Sequence, residues 1–195
     1  HEVEAGGLCA SPDPQDDALL IYTSGTTGRP KGVIHSHASL LAGGANTAAA
    51  HHLTLEDRAL CVLPLCHING QVVTVMAPLI SGSSVVMPSR FRVSKFWDWV
   101  SRHRCSWFSA VPTIISYLLG AEEAVAQPEK ATLSHVRFGR SASAALPPAV
   151  HTAFVERFGI PLVETMGITE TAAPILSNPL NPKAHRIGSP GKSCG

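Results

Sequence analysis

Little in this sequence is extreme. No run of about 18 uninterrupted apolar residues occurs, so no helix of it is long and apolar enough to span a membrane. There is no Cys-x-x-Cys pair, and the five cysteines, Cys9, Cys61, Cys66, Cys105 and Cys194, are odd in number. That argues against a disulfide framework and for free thiols in a reducing cytosol. Cys61, Cys66 and His67 raise a metal site, but small apolar residues beside a strand end are the better reading. Charge is scarce too, at 15% of residues with a net charge of +1. Nothing there recruits nucleic acid or an anionic membrane. The first residues carry acids and lack the apolar run of a signal peptide. No internal repeat or low-complexity tract is visible.

Against these absences, 45% of 195 residues are apolar, enough to bury a substantial core. One stretch stands out: Tyr22-Thr23-Ser24-Gly25-Thr26-Thr27-Gly28-Arg29-Pro30-Lys31-Gly32. It follows the apolar run Ala18–Ile21, which reads as a buried strand. Glycines let a backbone wrap a ligand and aim N–H groups at it. Thr23, Ser24, Thr26 and Thr27 add neutral donors, and Arg29 and Lys31 add positive charge. Together they suit a polyphosphate. The P-loop of the common NTPases does not fit, because Pro30 precedes the lysine and Gly32 follows it. Gly191-Lys192-Ser193 is a decoy, since Arg186 stands where that motif needs its first glycine.

The rest of the chain alternates. Strands are expected at Val33–His35, Arg58–Leu65, Ser83–Met87, Cys105–Val111, His135–Phe138 and Ile160–Val163. Helices are expected at His37–His51 with Ser36 as N-cap, Gln71–Ile80, Lys95–His103 capped by Ser94, Thr113–Leu119 opened by Pro112, and Pro147–Phe158 ended by Gly159. Small residues at Gly43-Gly44 allow a close helix–sheet approach. Phe96, Trp97, Trp99 and Val100 recur at helical spacing and read as core. Residues 121–134 read as a surface connection and 174–195 as an irregular crossing. This alternation predicts an α/β fold, a mostly parallel sheet with helices on both faces. Ligands in such sheets sit in loops at the carboxyl ends of strands.

Three further stretches follow strands. His67-Ile68-Asn69-Gly70 comes after Pro64-Leu65-Cys66; a lone histidine there is as often structural as functional. Gly139-Arg140-Ser141-Ala142-Ser143-Ala144-Ala145-Leu146-Pro147 is small enough for a flat ring to lie on its backbone, or is simply a small-residue loop before a helix. Glu164-Thr165-Met166-Gly167-Ile168-Thr169-Glu170 ends in a carboxylate suited to a hard cation.

Taken in order, these stretches resemble the adenylate-forming superfamily of acyl-CoA synthetases, luciferases and peptide-synthetase adenylation domains. The resemblance implies that Thr23, Ser24, Gly25, Thr26, Thr27, Gly28 and Lys31 cradle the phosphates of ATP. It makes Ser143, Ala144 and Ala145 an adenine loop, with Ala145 where the family commonly has proline. Glu164, Thr165, Met166, Gly167, Thr169 and Glu170 match its signature. There Thr169 contacts the α-phosphate and Glu170 helps hold Mg²⁺. Met166 replaces an aromatic ring. His67 matches a residue beside the acyl and phosphate sites. Arg140-Ser141 looks more like the oxalyl-CoA synthetase branch, and Arg140 would meet an acidic substrate or pair with Glu164.

The implied reaction activates a carboxylic acid through an acyl-adenylate and passes it to a thiol, coenzyme A in the leading reading. The acid is expected near His67, Ser109, Val111 and Gly139, with Trp107, Phe108 and Ile114 available for an aryl or alkyl pocket. An adenylation domain loading a carrier protein is a sibling reading. A non-catalytic binding module that keeps the loop is a different class. The family has an N-terminal portion, a ribose-binding Asp, a hinge and a C-terminal domain with a catalytic lysine that find no match here. Residues 18–195 are therefore expected to be the core of the AMP-binding N-terminal domain, with residues 1–17 a linker or cut end. Alone, the chain is expected to be nearly inactive.

Overall fold

The computed structural model describes residues 11–25, 28–121 and 128–194. Its first two strands, β1 (Asp17–Thr23) and β2 (Lys31–Ser36), form an antiparallel hairpin of their own. The main sheet comprises β3 (Arg58–Cys61), β4 (Ser84–Val86), β5 (Trp107–Ala110), β6 (Phe138–Ser141), β7 (Leu162–Gly167), β8 (Pro174–Ser177) and β9 (Lys192–Ser193). Its order is β4-β3-β5-β6-β7-β8-β9. Strands β4 to β7 run parallel, and β8 and β9 return antiparallel along one edge.

The α/β expectation holds, with corrections in detail. Strand β1 does not join the main sheet. Residues 174–195 are not an irregular crossing, because β8 and β9 add two strands there. Pro174 is tolerated because it opens its strand, where no ladder N–H is needed. The strand expected over His135–Phe138 starts only at Phe138, and the one expected over Arg58–Leu65 stops at Cys61. Of the surface connection at 121–134, residues 122–127 lie outside the described residues, and Lys130–Leu133 forms a 3-10 turn. Residues 1–10 of the expected linker also lie outside.

Helix α1 (His37–Ala50) begins as expected: the Ser36 hydroxyl accepts the Ser39 N–H at 3.2 Å. Gly43 and Gly44 do permit a close approach, but not to the sheet. A Cβ on Gly43 would lie 3.2 Å from Ala172, and one on Gly44 2.5 Å from Ile80 Cδ1. Asn69–Met76 is a π-helix that runs directly into the short helix α2 (Ala77–Ile80). The Ala77 N–H reaches back five residues to the Val72 carbonyl, which marks the wider turn. Helix α3 (Val93–Arg102) starts one residue before Ser94, and no side chain caps it. Helix α4 (Pro112–Gly120) has Pro112 at its first position. Helix α5 (Pro148–Phe158) ends on Gly159 at φ 71°, left-handed as a glycine C-cap permits.

The two faces of the sheet are packed differently because strand residues alternate. Phe108 of β5 joins Phe96, Trp97, Val100, Ile115, Leu118, Phe154 and Phe158 in the large core under α3, α4 and α5. Trp107, one residue earlier, joins Ala59, Phe138 and Val163 on the other face. The Trp107 and Phe138 rings stack there, and His51, just after α1, stacks on both. Trp107 and Phe108 are therefore core and line no ligand pocket. Among the described residues no helix is long and apolar enough to cross a membrane.

Polar groups pin the amino ends of the strands. Asp57 accepts from Thr54 N at 2.9 Å, Ser106 Oγ at 2.6 Å and Arg137 Nη1 at 2.5 Å. Burial pushes its carboxyl up, but these hydrogen bonds more than offset that and hold it below its ordinary value. His51 is fully buried, and its Nδ1–H donates to the Thr47 carbonyl at 2.9 Å. Burial, reinforced by the positive charge of Arg140, drives its imidazole down to about 3 from 6.5. The unfolded chain therefore takes up this proton first as pH falls. The contribution of neutral His51 is whole above about pH 6.5 and drains away toward pH 3. The melting temperature of the chain should fall between pH 7 and 5, and less steeply in His51→Leu. Parallel pH slopes for the two proteins would contradict this account. Asp57→Ala should lose about 1–3 kcal/mol in chemical denaturation, because Arg137 and Ser106 lose their acceptor.

Candidate active site

A cleft of about 990 Å³ opens over the carboxyl ends of β3, β5, β6 and β7. This is where parallel sheets hold ligands. Its walls come from five loops and the hairpin. The segment after β3 gives Pro64, His67, Ile68 and Asn69; the stretch before α3 gives Ser89, Arg90 and Phe91. Val111 and Ile114 follow β5, Arg140, Ala142 and Ser143 come from the end of β6 and the loop after it, and Gly167 to Glu170 from the end of β7 and the turn after it. Thr23 enters from the end of β1.

Asn69 is the hub of the floor. Its Oδ1 accepts from Arg140 Nη1 at 2.6 Å and from Ser109 Oγ at 2.9 Å. Arg140 Nη1 also donates to Ser109 Oγ at 3.0 Å, closing a triangle. Asn69 Nδ2 donates to Ser143 Oγ at 3.3 Å. Ser143 sits at φ 73°, an uncommon conformation for a residue with a side chain. The π-helical turn aims Asn69 at β5 and β6 from outside the sheet, as such turns often do at functional sites.

Arg140 is 2% exposed, and burial lowers its guanidinium to about 9, still charged at neutral pH. It does not pair with Glu164. That carboxylate accepts from His151 Nδ1 at 2.9 Å and from the Gly188 N–H at 3.0 Å.

A second tie joins the hairpin to the β7 loop. His35 of β2 is buried, and its Nε2 lies 2.7 Å from the Thr169 carbonyl. A carbonyl only accepts, so Nε2 carries the proton. The other ring nitrogen faces Ser39 Oγ at 3.3 Å. The hairpin loop and the Thr169–Thr171 turn are thus held together across 134 positions of sequence.

Of the residues singled out in the sequence, Thr23, His67, Val111, Ile114, Arg140, Ser143, Gly167, Thr169 and Glu170 converge on the cleft. Gly25 is close by at φ 41°; a Cβ there would meet the Arg29 carbonyl at 2.2 Å, so the loop excludes any other residue. Ser24, Gly28 and Lys31 are on the hairpin but line no part of the cleft, and Thr26 and Thr27 lie outside the described residues. Ala144, Ala145 and Met166 are exposed beside it. The Glu164 and Thr165 side chains are buried and line no part of the cleft, and the Glu164 carboxylate accepts from His151 and Gly188. Ser109 supports the floor without lining it, and Gly139 packs against the Phe108 ring. Cys61 is buried and Cys66 exposed, and no group of three metal-ligating side chains occurs among the described residues. Asn69 and Arg90 were missed. An Asn-Gly pair signals a turn, which hid the role of Asn69.

The chain matches the AMP-binding enzyme family over residues 4–195. It belongs to that family. Among relatives in it, a sulfoacetate–CoA ligase of Cupriavidus necator is 55% identical over 192 residues, 98% of this chain and 36% of that protein. An oxalate–CoA ligase of Arabidopsis thaliana is 37% identical over 185 residues, covering 93% and 35%. Among AMP-binding enzymes of known structure, apo MatB from Rhodopseudomonas palustris superposes with a TM-score of 0.85 at 28% identity. It covers 97% of this chain and 36% of that one. The Bacillus subtilis o-succinylbenzoate–CoA synthetase bound to ATP and magnesium gives 0.79 at 30% identity, covering 93% and 36%. The chain spans about a third of the length of the relatives it matches.

Asn69→Ala should cost about 1–3 kcal/mol by urea denaturation, because it strips an acceptor from a buried guanidinium and a buried hydroxyl. Asn69→Asp, which keeps the Oδ1 acceptor and gives up only the Nδ2–H donated to Ser143, should lose less. An alanine variant as stable as the parent would remove Asn69 from its central place.

Proposed function

We propose that the protein containing this chain is an acid–thiol ligase that activates a small carboxylic acid with ATP and transfers the acyl group to coenzyme A. The observation that carries this is the convergence of Thr23, His67, Ser143, Thr169 and Glu170 on one cleft from four separate segments. The AMP-binding family and the ligase names of its relatives support the same reading.

In the first step a carboxylate oxygen attacks the α-phosphorus of ATP. The bond to the β-phosphate breaks, and pyrophosphate leaves. In the second, the thiolate of coenzyme A attacks the acyl carbon and expels AMP. The Thr23–Lys31 loop would take the β- and γ-phosphates, with Ser24, Gly25, Thr26, Thr27 and Gly28 offering donors and Lys31 charge. Thr169 would contact the α-phosphate. The purine would lie along Ser143, Ala144 and Ala145, with Met166 as a soft apolar neighbour and Gly167 leaving room. His67 would steer the carboxylate. The Glu164 and Thr165 side chains would hold the end of β7 beside the nucleotide.

Glu170 fits a magnesium ion. Its carboxylate is exposed on the cleft wall, and Mg²⁺ takes one or two carboxylates together with substrate phosphates. Bound there, the ion would neutralise charge on the phosphates.

The protein at its natural length should exchange labelled pyrophosphate into ATP only when its acid is present. Lys31→Ala and Glu170→Gln should each slow that exchange by a factor of about 10²–10³, the usual effect of removing one well-placed group that stabilises developing charge. Unchanged exchange in both variants would rule the assignment out.

A further inference from the structure

We infer that the acid held in this cleft carries a second anionic group, and that Arg140 receives it while Asn69 and Ser109 act as positioning residues. The inference rests on the acid-activating reading above and names its substrate class: a small organic acid bearing a carboxylate or sulfonate besides the carboxylate that is activated.

The reason is an uncompensated charge. Arg140 is 2% exposed, yet no ion pair involves it among the described residues. A buried guanidinium without a counter-charge is costly, and proteins seldom keep one idle. The carboxylate on the neighbouring strand, Glu164, is occupied by His151 and Gly188. Only Nη1 donates, to Asn69 and Ser109, and Nε is buried with no partner at all. These two neutral contacts fix the plane of the fork without discharging it. A planar fork so held suits an oxyanion group with two acceptor oxygens.

The surroundings agree. Beside Arg140 the cleft is lined by Val73, Val111, Ile114 and Ala142, an apolar setting in which an ionic contact is strong. A second cation, exposed Arg90, stands on the same cleft. Glu170 is the one carboxylate among the described residues lining it, and the magnesium ion proposed there would cancel it. The cleft lining therefore carries surplus positive charge at the acid end. A substrate with one carboxylate, consumed in forming the adenylate, would leave Arg140 unpaired through the whole reaction.

The test uses the protein at its natural length, with sulfoacetate, oxalate and malonate set against acetate and propionate in pyrophosphate exchange. Wild type should favour the doubly charged acids by about 10²-fold or more in kcat/KM, since a site built to bind a polar group rejects analogues lacking it. Arg140→Met should remove that preference, mainly by raising KM for the doubly charged acids rather than KM for ATP. Arg140→Lys should restore part of it. Equal use of acetate and sulfoacetate by wild type would overturn the inference. So would wild-type kinetics on dianions in Arg140→Met, or an effect confined to KM for ATP, which would assign Arg140 to the nucleotide.

A second readout needs no catalysis. Sulfoacetate alone should raise the melting temperature of wild type, acetate should not, and Arg140→Lys should weaken the shift. Silence of exchange with every acid would sink the acid-activating reading. The sulfoacetate shift would still support an anion site at Arg140, and its absence in wild type would overturn that site too.

Discussion

A buried guanidinium without a carboxylate is the constraint that the site obeys. Arg140 leaves the end of β6 in the middle of the sheet, where water does not solvate it. Its charge has to be stabilised by dipoles alone, so Asn69 and Ser109 are drawn to one nitrogen. That requirement explains the rest of the floor. Ser109 occupies a buried position of β5 that an apolar residue would otherwise fill. Asn69 opens a helix wound one residue wider than usual, and the same amide then reaches Ser143 in the next loop. Two strand ends, the loop after β6 and one helix start are registered by a handful of hydrogen bonds around a single ion.

The hairpin obeys a separate logic. It shares no ladder with the main sheet, so its position over the cleft depends on packing and on His35. Ile21 and Leu40 pack with Ile68, Val72 and Ala172 in a small second core. The imidazole of His35 then joins β2 to the backbone of Thr169. A loop that is glycine-rich and open needs such an anchor, because its own stretch between Thr23 and Lys31 has a single backbone hydrogen bond among the described residues, Gly28 N to the Gly25 carbonyl.

Much of this was legible in the sequence, and the failures have physical causes. Alternating strands and helices foretold the parallel sheet, and Ser36, Pro112 and Gly159 marked helix ends correctly because each acts through local backbone geometry. The hairpin was not foreseen as a separate sheet. Yet only seven residues separate Thr23 from Lys31, and a parallel return needs a crossover of about a dozen or more. The side-chain partner of Glu164, His151, lies on the preceding helix, visible only once α5 packs on β7. Ser94 was a sound cap by residue type, but α3 begins at Val93 and leaves it inside. Asn69 was passed over because its role depends on a helix type that no residue pattern announces.

That wide turn has a consequence for how this site tolerates change. An α-helix advances about 100° per residue. Inserting or deleting one residue between Asn69 and Met76 would rotate one side of this wider turn relative to the other by a large fraction of that angle. Either Asn69 would swing away from Arg140, or Ile80 would leave the groove above Gly44. The spacing between these two contacts is therefore fixed by residue count rather than by residue identity. This segment should accept many substitutions among its outward positions, and no change of length.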